Sequence, residues 1–185
     1  MYMLLEDNEN RHFHFIKYLH HKNDWVKLPE IATALSCSER SLKYDLAYFK
    51  KDTSIFTIET STKGVRVVFA DNKNFKCFSA SVLEQSLSYQ LLEKIFFDEQ
   101  YSVPDLAELL FVGSSTLYAL INKINHQLIP YEIEIETKPC RITGNEINIR
   151  KFFYIYFYEK HTALEWPYDP VLADITDKFI TYLPR

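Results

Sequence analysis

A mainly α fold with small β-hairpins, built twice in tandem, is what this sequence predicts. Three observations carry that expectation: glycine is scarce, apolar residues recur at helical spacing, and the chain matches itself when Pro29 is laid on Pro104. Only 3 of 185 residues are glycine, where average usage of roughly 7% would give about 13. Gly-rich phosphate loops and folds made of many tight β-turns are thereby excluded. At 47% hydrophobic, 16% aromatic and 25% charged, the chain has ample material for a core and no signature of disorder.

The internal match is the organising signal. With Pro29 on Pro104, Ala32 falls on Ala107, Leu35 on Leu110, Leu42 on Leu117, Ile58 on Ile133, Lys63 on Lys138 and Arg66 on Arg141. Apolar character is kept at Ile31/Leu106, Leu46/Ile121, Phe49/Ile124 and Val67/Ile142. One gap upstream pairs Ile16 with Leu92, Leu19 with Ile95 and Trp25 with Tyr101. Two copies of this length do not make a solenoid; they make a duplicated small domain.

Each copy reads in the same order. A first helix is predicted from Phe13, Ile16 and Leu19, and from Leu83, Leu87, Leu91 and Ile95. A short helix follows, PEIATAL or PDLAELL, with proline in its first turn, where no hydrogen bond is lost. After a three-residue break, SCS or FVG, a third helix buries Leu42, Leu46 and Phe49, or Leu117, Ile121, Ile124 and Leu128. Ser38 is its expected N-cap in the first copy. Two alternating strands complete each copy, FTIET with VRVVF and YEIEIET with CRIT, joined by STKG and KP. That order is a winged helix-turn-helix, and Ala32 and Ala107 supply the small side chain that two crossing helices require. The expected division is a first winged helix over 1–70, a linker over 71–78, a second winged helix over 79–143 and a helical segment over 144–185.

The run ITGNEINIRKFFYIYFYEK, immediately after the second wing, is the most specific piece of the chain. With two consecutive winged helices before it, the sequence resembles the N-terminal half of the Mga-type transcription regulators over roughly residues 10–165. The resemblance implies a cytoplasmic, sequence-specific DNA-binding activator of virulence or adaptation genes. It further implies phosphotransferase-system regulatory domains beyond this point, so that 144–185 leads into a truncated regulatory domain. None of the six histidines matches that family's phosphorylation site.

The residues give their own reading of the interface. In the first copy Arg40, Ser41, Lys43 and Tyr44 occupy the outer face or first turn of the third helix, opposite its apolar stripe. An arginine there forms bidentate bonds to guanine, while Lys and Tyr hold phosphate. Lys50 and Lys51 at the helix end suit phosphate and the helix dipole alike. Lys63 and Arg66 place charge on the first wing. The second copy offers uncharged groups instead: Ser114, Ser115, Thr116, Tyr118 and Asn122, with Lys123 beside them. Glu132, Glu134 and Glu136 on its wing would repel DNA, and Lys138 and Arg141 are expected to pair with them.

Charge divides the same way. Residues 36–76 hold eight basic and five acidic side chains, net +3, and residues 77–112 hold one basic and six acidic, net -5. A basic region within a chain of net charge -4 is the footprint a DNA surface leaves. RNA polymerase, and a homodimer partner held through parts outside this chain, stand as further partners. No cofactor is indicated. His12, His14, His20 and His21 lack a complementary Cys or carboxylate at ligand spacing, so no metal is expected. No nucleophile shows a local catalytic signature, and the reading is of a non-enzyme. No apolar run reaches about 18 residues, so no membrane span is expected. A tandem winged-helix replication initiator, and a winged-helix scaffold that binds no DNA, remain open beside the regulator.

Overall fold

The computed structural model describes residues 2–160. A 3-10 turn at Tyr2–Leu4 precedes α1 (Asp7–Lys22), α2 (Leu28–Ala34), α3 (Glu39–Phe49), β1 (Phe56–Ser61) and β2 (Gly64–Phe69). The second half comprises α4 (Phe75–Gln85), α5 (Leu87–Phe97), α6 (Val103–Leu109), α7 (Ser114–Leu128), β3 (Ile133–Thr137), β4 (Cys140–Gly144) and α8 (Glu146–Lys160). The strands form two separate antiparallel hairpins, β1–β2 and β3–β4. The mainly α tandem winged helix-turn-helix expected from the sequence is what folds.

The local causes are visible at the helix ends. The Ser41 N–H donates to the Ser38 hydroxyl at the start of α3, which is the expected cap. Ser102 and Asp105 form a reciprocal capping box at α6. Each hairpin is tethered to the loop before the short helix of its own copy: Val26 and Val65 exchange both backbone hydrogen bonds at 2.9 Å, and the Cys140 N–H donates to the Tyr101 carbonyl at 2.8 Å. Gly64 makes the first tether fit. It takes φ +131°, and a Cβ there would stand 2.2 Å from the Val26 carbonyl oxygen.

Three elements differ from the expected pattern, and in the first of them α4 begins at Phe75, inside the stretch 71–78 expected to be a linker, because Phe78 is buried in the core. The single helix read from Leu83 to Ile95 is broken at Ser86, whose extended backbone ends α4 and starts α5. The Ser86 hydroxyl is buried and donates to Glu9 of α1 at 3.0 Å, so a contact between copies fixes the break. Tyr131 and Glu132 lie outside β3: Tyr131 closes a 3-10 turn and Glu132 adopts a left-handed conformation.

The two hairpins also differ in register. Arg66 faces Glu59 across the first, while Arg141 faces Glu136 across the second. In repeat-equivalent numbering that is a slip of two residues, which keeps every side chain on its face. The two-residue turn falls at 62–63 in one wing and at 138–139 in the other.

The copies are joined by core and not only by chain. α4 begins at Phe75, and Phe78 packs its ring against Phe13, Phe49 and Phe56 of the first copy. The Tyr2 hydroxyl bonds Ser79 and Glu159, and Glu6 pairs with Lys123 at 2.9 Å. α8 closes the second copy, donating from the Tyr156 hydroxyl to the Tyr89 carbonyl at 2.8 Å.

Candidate nucleic-acid interface

α3 is held in place by a charge cluster on its inner face. Asp45 is only 2% exposed and accepts two parallel bonds from Arg11, at 2.8 and 2.9 Å, and one from His12 at 2.9 Å. His12 also stacks on Tyr48, with ring centroids 4.5 Å apart. A fork of this kind fixes orientation as well as distance, so α1 sets the pitch of α3. The sequence reading missed Asp45, which entered it only in the charge of residues 36–76. The signal was present: Leu42, Asp45, Leu46 and Phe49 sit at i, i+3, i+4 and i+7, on the buried stripe.

Burial lowers the His12 imidazole pKa below its ordinary 6.5, outweighing the opposite pull of Asp45. A base with a depressed folded-state value binds its proton more readily when unfolded. Its contribution to stability is full above pH 6.5 and is lost as pH falls through the folded value. Urea midpoints measured from pH 7.5 to 5 should therefore fall on acidification. His12→Gln, which keeps a donor toward Asp45, should flatten that part of the profile.

Outward from this anchor, Arg40, Lys43 and Tyr44 are exposed on one face of α3. Arg40 reaches the Tyr44 hydroxyl at 3.2 Å and lies over its ring. Among the described residues Arg40, Lys43, Lys50, Lys51 and Lys63 appear in no ion pair, and all five are exposed. Ser41 is half-buried and engaged with the Ser38 cap. Arg66 is also committed within the protein: Glu59 accepts from it at 2.6 Å, and its guanidinium sits 4.7 Å above the Trp25 ring. The first wing thus presents Lys63 at its tip and a neutralised arginine on its flank.

α7 presents a different surface. Ser115, Thr116, Tyr118 and Asn122 are exposed and Ser114 is half-exposed, with no charge among them. Lys123 turns aside to Glu6. Asn122 lines an open concavity with Glu132, Glu134 and Thr143 of the wing, so this groove is acidic. Asn125, one turn from Asn122, is not a surface reader. Its amide donates to the Ile135 carbonyl at 3.0 Å and accepts from the Ile135 N–H at 2.7 Å, locking α7 to β3. Arg141 is paired with Glu136 at 2.7 Å, as expected, while Lys138 is exposed.

No helix among the described residues is long and apolar enough to cross a membrane. Of the four N-terminal histidines, His12 serves the Asp45 cluster and His20 stacks on Phe75.

Comparison with known proteins bears on this arrangement. Residues 71–157 match the model of the Mga helix-turn-helix domain, which places that domain on the second copy and α8. A trans-acting regulator of Streptococcus pneumoniae serotype 4 is 31% identical over 167 residues, 90% of this chain and 34% of that protein. The capsule synthesis positive regulator AcpA of Bacillus anthracis is 22% identical over 97% of this chain and 38% of its own length. The anthrax toxin expression trans-acting positive regulator of the same species is 26% identical over 91% of this chain and 36% of its own length. This chain spans about a third of the length of the curated relatives it matches.

Proposed function

Because this chain belongs to the Mga-type family of regulators, we propose that it is the DNA-reading part of a sequence-specific transcription regulator, acting in the cytoplasm as an activator of virulence or adaptation genes. It binds duplex DNA as a non-enzyme, through two units divided as 1–70 and 79–143. The observation that carries this reading is a helix-turn-helix and wing built twice, each third helix turning a polar face outward. In the first copy that face bears cations with no carboxylate partner among the described residues. Arg40 and Lys43 approach the groove, and Tyr44, Lys50, Lys51 and Lys63 hold backbone phosphates. In the second, Ser114, Ser115 and Thr116 meet phosphate near the helix start, while Tyr118 and Asn122 reach base edges. Arg66, Ser41 and Lys123 support the fold first and the DNA second. RNA polymerase and a second copy of the chain are the further partners this reading carries.

The division of labour gives the test. Counterion release makes affinity fall with salt in proportion to the phosphates neutralised. Replacing Lys43 and Lys50 together by Ala should weaken target and scrambled duplex alike and reduce the salt slope by about one to two units. Asn122→Ala should leave the slope unchanged and cost about 1–3 kcal/mol on the preferred duplex alone. Fluorescence anisotropy at several salt concentrations reads both. A wild-type chain that binds no duplex at low salt would reject the proposal in favour of a protein scaffold.

A further inference from the structure

Phe111 has no structural reason to be a phenylalanine. It is 95% exposed, so its ring buries almost nothing. It stands in the turn between α6 and α7 with φ +56°, a left-handed conformation that disfavours bulky side chains. The first copy supplies an internal control: its equivalent turn uses Ser36, also left-handed at φ 50°. The turn therefore demands this backbone shape, and a small polar residue satisfies it. The second copy meets the same demand with a large apolar ring held out in water.

Position gives the ring a use. Phe111 stands three residues before the first residue of α7 and moves with it, so whatever the start of α7 approaches, Phe111 approaches. Nearby on the chain are further exposed apolar surfaces, Leu109 at 43% and Tyr118 at 41%, and the uncharged Ser115 and Thr116. The flanking Asp105 and Glu108 are exposed and acidic, which argues against a phosphate contact by this turn. An apolar edge fits it better, and the apolar group that DNA displays in the major groove is the thymine C5-methyl. We propose that Phe111 reads thymine methyl groups beside the start of α7. The second copy then gains sequence preference from a contact that carries no charge. This rests on the DNA reading of the second copy given above.

Phe111→Gly and Phe111→Asn both suit the left-handed turn, so each should keep or raise the melting temperature of the full 185-residue chain. The probe is a duplex selected from a random pool by the wild-type chain, together with versions in which single thymidines are replaced by deoxyuridine, which lacks only the methyl. The wild type should lose several-fold in affinity at one or two of these replacements. Phe111→Gly should lose about tenfold on the thymine duplex, with an unchanged salt slope and no further loss on the deoxyuridine duplexes. Equal loss by both proteins at every deoxyuridine position would overturn the proposal, as would Phe111→Gly binding like wild type. The latter result would leave the ring as a surface for another protein. Failure of the wild type to select any duplex would instead bring down the DNA reading itself.

Discussion

Asp45→Ala should destabilise the protein by about 3 kcal/mol, read as a shift of the urea midpoint at constant slope. Removing one member of a buried charge cluster leaves the others uncompensated, and here Arg11 and His12 would lose the carboxylate to which they are fixed. Arg11 is 31% exposed along its side chain, so water recovers part of the loss and holds the effect at the lower end of the usual range. The second copy shows the alternative solution. Leu120 stands where Asp45 does, and Leu87 and Ser88 stand where Arg11 and His12 do; Leu120 is buried among apolar neighbours. Arg11→Leu combined with Asp45→Leu should accordingly recover most of the stability that Asp45→Ala loses, since a packed apolar pair replaces a desolvated ionic one. The double variant would still lack the fork that sets the pitch of α3. A variant with restored stability and weakened DNA binding is the expected pairing, and anisotropy on the same samples measures it.

Gly64→Ala is the second large effect, expected at about 3 kcal/mol. Two costs coincide at this residue. Its φ of +131° is open only to glycine, and the added methyl would meet the Val26 carbonyl oxygen at 2.2 Å and its carbon at 2.5 Å. Both are backbone atoms with no rotamer to yield, so the Val26–Val65 pair must part and the wing loses its anchor. Gly113→Ser is the matched control. Gly113 caps α7 with an ordinary φ of -73°, a Cβ there meets nothing nearer than 3.8 Å, and serine is what the first copy uses at the equivalent Ser38. That change should be neutral or stabilising by a few tenths of a kcal/mol. Thermal melts of the two glycine variants side by side separate the requirement for glycine from a general cost of substitution.

What could be read in the sequence follows from the range of the forces involved. The short helices α2 and α6, the third helices α3 and α7, the Ser38 cap and the hairpin turns are decided within a few residues, and they stand where periodicity and turn chemistry put them. The outer face of α3 was legible for the same reason: once Leu42, Leu46 and Phe49 define the inside, Arg40, Lys43 and Tyr44 are outside. Partners far apart in the chain were not legible. Nothing near Lys123 announces Glu6, 117 residues away, and nothing in the pattern of Leu83, Leu87 and Leu91 reveals that Ser86 leaves the helix to reach Glu9. Arg66 was read as free charge on the first wing, whereas each wing uses its arginine on a glutamate of the opposite strand. Phe111 shows the reverse case, since the turn itself was predicted and only the three-dimensional exposure of its ring reveals the anomaly.

The chain's first nine residues reach into the second half: Tyr2 to Ser79 and Glu159, Glu6 to Lys123, Glu9 to Ser86. Phe75 and Phe78, from the start of the second half, return the exchange by filling the core of the first. The boundary seen in the sequence is therefore a seam and not a hinge. A segment cut out at residue 71 would keep the family's helix-turn-helix but carry two phenylalanines with nothing to cover them, and Ser86 and Lys123 would lose their acceptors. The exchange of residues across the seam couples the two copies, so a thermal melt of the chain should show a single transition.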